Sequence, residues 1–137
     1  MRLTNICYKD THQLESAENI DINSLDSIPN FSNNNMYLAI LNMFPKTDSL
    51  NIINIAVNKL KQSGTLTLKL LNFNHIIDSY KFQKISDDDV CKSMHGVTCI
   101  INQPEIFEMF HNKPDVKIID VSSDDIHSLY KIQRISL

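Results

Sequence analysis

MYLAILNMFPKTDSLNIINIAVNKLKQSGTLTLKLL, residues 36 to 71, reads as strand, helix, strand. MYLAILNMF (Met36 to Phe44) is a near-continuous apolar run, the pattern of a strand buried on both faces or of a buried helix segment. Pro45 stops it. Thr47 and Asp48 can then cap a helix by accepting the free N–H groups of its first turn. That helix spans Ser49 to Lys61, with Asn51, Asn54, Asn58 and Lys61 on one side. Leu50, Ile52, Ile53, Ala56, Val57 and Leu60 form a broad apolar side suited to lying on a sheet. Lys59 and Lys61 favour the negative end of the helix dipole. Gly64 follows as a left-handed helix stop. TLTLKLL (Thr65 to Leu71) is the next strand. Two strands joined by one helix imply a parallel pair with a right-handed crossover.

Flanking segments extend this unit into a sheet. LTNICY (Leu3 to Tyr8) is a first strand, and Lys9 to Glu18 is loop or one short helical turn. Ile20 to Ile22 form a second short strand. Asp26 to Asn35 is a turn-rich connection. After Leu71, Asn74 to Phe82 is an amphipathic helix with Ile76, Ile77 and Tyr80 inward. Ser86 to Asp89 starts another helical turn, and VTCII (Val97 to Ile101) is a strand candidate. Asn102 and Pro104 start a helix, whose apolar side is Ile106, Phe107 and Phe110 and which Pro114 closes. VKIIDV (Val116 to Val121) and LYKIQRISL (Leu129 to Leu137) are two strands across a short acidic connection, hence an antiparallel pair. The implied fold class is α/β, with a parallel central sheet and a C-terminal antiparallel strand pair, in one domain over residues 1 to 137.

Composition narrows the partners. The net charge of −3 leaves no electrostatic footprint for nucleic acid. No apolar run approaches the roughly 20 residues that span a bilayer, and MRLTNICYKD is too polar for a signal peptide. Three cysteines without a CxxC pair point to reduced thiols and a cytoplasmic setting.

Five fragments carry a resemblance to a family. Leu3 to Tyr8 (LTNICY) lies where the family has a glycine-rich LNLGCG turn. Asn19 to Ile22 reads NIDI, Leu25 to Pro29 reads LDSIP, Leu60 to Gly64 reads LKQSG against LKPGG, and Leu71 to Phe73 reads LNF. The chain resembles compact class I S-adenosylmethionine-dependent methyltransferases, of the short kind found in phage genomes and bacterial surface-sugar clusters. The likeness covers nearly the whole chain, and each motif is partial. It implies a reduced Rossmann-like methyltransferase fold, S-adenosylmethionine as cofactor, and a small molecule, sugar or macromolecule as acceptor. The cofactor-facing residues it implies are Cys7, Tyr8, Asp21, Asp26 and Asn42, with Asn72 and His75 toward the acceptor.

The departures from the family lie at the chemistry. Ile6 and Tyr8 stand at glycine positions, where a Cβ obstructs close backbone approach to a cofactor. Leu41, Asn42 and Met43 replace a Leu-Glu-His segment. Asp21 and Asp26 are too close for two complete strands between them, so one strand–helix unit is shortened or deleted. Asp21 matches either the acid that holds the cofactor ribose or the later acid near the adenine. These departures imply a protein with an eroded cofactor site, weakly active or inactive. The alternative is a non-catalytic structural or regulatory subunit, in a homo-oligomer, a phage assembly or a complex with an active methyltransferase.

Plainer readings stand beside the sites. Asn74 can cap the next helix, leaving His75 in its exposed first turn. Cys91, His95 and Cys99 share a helical spacing, but Gly96, Val97 and Thr98 break the helix and no fourth ligand follows, so no metal is assigned. Asp87, Asp88 and Asp89 read as a solvated run.

Overall fold

A computed structural model describes residues 3–8 and 11–136. Lys9 and Asp10 of the expected first loop, and Leu137 of the expected last strand, lie outside the described residues. Six strands form one sheet: β1 (Leu3–Cys7), β2 (Ala17–Asp21), β3 (Asn33–Leu38), β4 (Leu60–Leu71), β5 (Val116–Ser123) and β6 (His127–Arg134). Their order is β2-β1-β3-β4-β6-β5. The first four are mutually parallel, and β6 runs antiparallel to both β4 and β5. Four helices connect them: α1 (Lys46–Asn58), α2 (Phe73–Lys81), α3 (Asp87–Met94) and α4 (Gln103–His111). A doubly wound sheet has the order 3-2-1-4-5-6. This chain reproduces the middle of that order, and among the described residues no strand lies beyond β2.

The core follows from strand alternation. Ile6, Leu38, Leu66, Leu68 and Ile132 are fully buried on one face of the sheet. Against them pack Ile53, Ala56 and Val57 of α1 and Ile106 and Phe110 of α4. Each such side chain larger than alanine contributes about 1.5–3 kcal/mol by leaving water. The residues between them on the other face, Thr65, Thr67 and Lys69 of β4, are half-buried, and Leu129 and Lys131 of β6 are exposed. On that face β1 is covered instead by the loop after it, where the Asn5 side chain donates to the His12 carbonyl at 2.7 Å.

Several boundaries differ from the sequence expectations, each for a local reason. The run from Met36 is strand only to Leu38, and Leu41–Met43 is a tight helical turn. α1 starts at Lys46 after Pro45 with no side-chain cap, so Thr47 and Asp48 lie within its first turn. It ends at Asn58, and β4 begins at once. Gly64 is therefore not the helix stop. Ser63 takes the left-handed backbone, with φ of 67°. Gly64 instead lies where a Cβ would stand 2.6 Å from the Asn33 carbonyl oxygen. Residues 97–101 form no strand. Thr98 and Cys99 N–H both donate to the Asn42 carbonyl, at 2.7 and 3.2 Å, which ties the segment to the turn after β3.

Candidate functional site

Open α/β sheets bind ligands outside the carboxyl ends of their strands, where the strand order reverses. Here that point lies between β1 and β3. Cys7 ends β1, is 2% exposed, and directs its Sγ to the Ile20 carbonyl at 3.6 Å. Tyr8 follows, and its ring meets Phe44 edge-on, with centroids 5.5 Å apart. Phe44 follows the turn after β3, so this ring pair spans the carboxyl ends of the two strands. Asp21 closes β2 beside Cys7, and one of its carboxylate oxygens accepts the Asn23 N–H at 2.8 Å. Asp26 lies exposed in the following helical turn, in a shallow hollow with Phe44 and Asp48.

Asn42 is drawn inward and clamps the protein to itself. Its Oδ1 accepts the Leu71 N–H at 3.1 Å and its Nδ2 donates to the Cys99 carbonyl at 3.0 Å. Asn72 and His75 do come together after β4. Asn72, and not Asn74, caps α2 by accepting the His75 N–H, and it donates to Ser128 Oγ at 2.9 Å. The His75 ring meets the Asp124 carbonyl at 3.1 Å. Both border a hollow of about 330 Å³ with Asn102, Gln103 and Tyr130. Cys91 and Cys99 do not converge. Cys91 is exposed on α3, and Cys99 Sγ lies 3.6 Å from the Leu41 carbonyl. No group of metal-ligating side chains gathers among the described residues.

A larger cleft, of about 630 Å³, opens at the carboxyl end of β4 on the sheet's second face. Lys69, His127, His12, Lys92 and His95 border it, with Asp89 as the acid. Burial holds the His127 imidazole below its ordinary range, Lys69 adds to this, and Asp124 opposes both. Sequence reasoning missed this cluster because it draws on four separate segments. The available signal was Lys69, the lone charge in the apolar strand TLTLKLL.

No family model matches the chain, and no curated protein matches it in sequence. Solved structures match in fold. A SAM-dependent methyltransferase from Archaeoglobus fulgidus has a TM-score of 0.60 at 10% identity, over 97% of this chain and 85% of that one. An O-methyltransferase family protein from Burkholderia thailandensis has a TM-score of 0.61 at 16% identity, over 88% and 36%. A possible exported protein from Bordetella parapertussis has a TM-score of 0.63 at 12% identity, over 99% and 54%. The chain thus spans about half or less of the latter two. With the strand order, these matches establish the fold class: a Rossmann-like methyltransferase fold with a C-terminal antiparallel pair. No helix among the described residues is long and apolar enough to cross a membrane.

Proposed function

We propose that this chain is a methyltransferase-fold protein whose cofactor crevice has been given over to packing, leaving little or no methyl transfer. The Tyr8–Phe44 ring pair carries this reading. S-adenosylmethionine requires close backbone approach at the end of β1 and a carboxylate turned to its ribose. At that place Ile6 is fully buried, Cys7 is nearly so, and Tyr8 packs across to Phe44. The Asp21 carboxylate is engaged with its own helical turn. These residues do not fit the cofactor, and fold alone does not confer its chemistry.

Calorimetric titration with S-adenosylmethionine and S-adenosylhomocysteine, beside thermal melting, tests the reading. A ligand that binds only the native state raises the melting temperature. The expected result is no binding heat and no shift at about 1 mM ligand, roughly a hundredfold above the affinity expected of a working site. Micromolar binding with a raised melting temperature would overturn the reading.

A second reading, an accessory subunit, is favoured by one further observation. Phe73, Ile77 and Tyr80 lie along one side of α2 and are 41%, 37% and 49% exposed, and Phe82 beyond them is 75% exposed. An apolar stripe of this kind commonly marks a protein contact. The partners it admits are a second copy of the chain, an active methyltransferase, or a larger assembly such as a phage particle. Sedimentation distinguishes the first: a monomer at about 0.5 mM, far above ordinary dimer dissociation constants, removes self-association.

A further inference from the structure

We infer that the cleft between β4, β6 and α3 is a binding site for a small organic anion bearing a phosphate or carboxylate group. The inference does not depend on the cofactor reading, because it requires no methyl transfer, although the cleft shares Asn42 with the residues that the resemblance turns toward the cofactor.

Charge is concentrated there against the trend of the chain. The protein is net negative, with thirteen Lys and Arg and five His. Two of those lysines and three of those histidines border this one cleft. The acid on its rim, Asp89, already accepts the Ser86 N–H at 2.9 Å as part of the helix start. The direct ion pairs among the described residues are Lys46–Glu105 and His127–Asp124; Lys69 meets Asp124, and Lys92 meets Asp89, only through longer-range attraction. Lys69 is half-buried on the cleft side of β4, its charge met only at a distance by Asp124, and a partly desolvated ammonium group gains from a closer anionic partner. A bound anion supplies that partner and offers a charge-assisted acceptor to Lys69 and His127 together.

The walls define the rest of the ligand. Ile40, Leu71, Val97 and Ile126 also line the cleft, so an apolar body can lie beside the charged group. The volume of about 630 Å³ falls within the roughly 300–1,000 Å³ of small-molecule sites. Its position at the carboxyl end of β4 is where such sheets place ligands.

Histidine NMR provides the test, with phenyl phosphate and benzoate as probes and benzylamine as the cationic control. The expected result is a saturable shift of the His127 and His95 signals with one or both anions, and none with benzylamine. Phosphate-only or benzoate-only binding identifies which anion the site takes. Lys69→Met is expected to weaken binding about tenfold or more, the loss of one charge-assisted contact. Lys92→Ala on the exposed side of α3 is a second variant, expected to weaken binding while leaving the melting temperature near that of the parent. The inference is overturned by no saturable shift at about 20 mM anion, well beyond the weakest useful small-molecule affinity. Affinity unchanged in both variants would overturn it equally, as would shifts confined to His75 and His111, which lie outside the cleft.

Discussion

Asn42 illustrates why a site residue is hard to read from a chain. In sequence it is a polar residue in an apolar run, standing where the resembled family has an acid. In the structure it is 8% exposed, and its two amide atoms hold Leu71 and Cys99, 29 and 57 residues away. No local pattern reports partners at that distance. Asn42→Leu leaves the Leu71 N–H and the Cys99 carbonyl without their partner, and is expected to destabilise the fold by about 2–3 kcal/mol, read from a urea midpoint. His127 gives a pH prediction at the same scale. Its folded-state pKa lies below the ordinary 6.5 because of burial and then Lys69. Below that value the unfolded chain binds more protons than the folded one, so stability falls as pH drops from about 6.5 toward the folded-state value. His127→Gln is expected to flatten that limb of the denaturation midpoint against pH. An unchanged slope would exclude His127 as its source. The Asp124 contribution is lost only at lower pH, because its carboxyl, held down first by the His127 N–H, sits below 3.8.

Elements were legible where their signals are local. α4 begins after Asn102, whose side chain accepts the Glu105 N–H at 3.2 Å, as the Asn and Pro pattern implied. α3 starts with a reciprocal cap between Ser86 and Asp89, and the acidic run is both exposed, as its charge implied, and the start of a helical turn, as its position implied. VTCII failed as a strand for a non-local reason. β4 already has β3 on one side and β6 on the other, so the sheet leaves no vacancy beside it. Its apolar residues are satisfied by packing instead: Ile101 is 1% exposed without any strand pairing. LKQSG was read as a helix end, whereas it opens β4 and holds an irregularity in the β3–β4 register. Gly64→Ala is expected to lower stability by about 2 kcal/mol, within the range of backbone-strain substitutions. Its Cβ would meet two backbone oxygens, of Asn33 at 2.6 Å and Lys61 at 2.8 Å, neither of which can swing aside. A melting temperature equal to the parent's would show that β3 and β4 can part at that point.

At the scale of the whole molecule, the parallel half and the antiparallel pair followed from the sequence, because strand order constrains few alternatives. The cationic cleft did not, because only the folded chain brings its four charged segments together. Arg134 closes the molecule in a similar way. Its Nη2 donates to the Val57 carbonyl at 2.7 Å, 77 residues away, and its guanidinium lies over the Phe31 ring at 5.0 Å. Arg134→Leu is expected to destabilise by about 2–3 kcal/mol, as for hydrogen bonds to a charged group, by equilibrium denaturation. The strand order has one more consequence. It leaves β2 as a rim of the sheet, and an open rim is a template on which another chain can add a strand. That rim is five residues long and carries the exposed Glu18. At the opposite rim, β5 slips register between Ile118 and Asp120 and carries the exposed Lys117. Short length, a charge and a break in register are features that discourage such growth. Both margins of the sheet are in this way insulated, so that an open-edged sheet of six strands is not a seed for fibres.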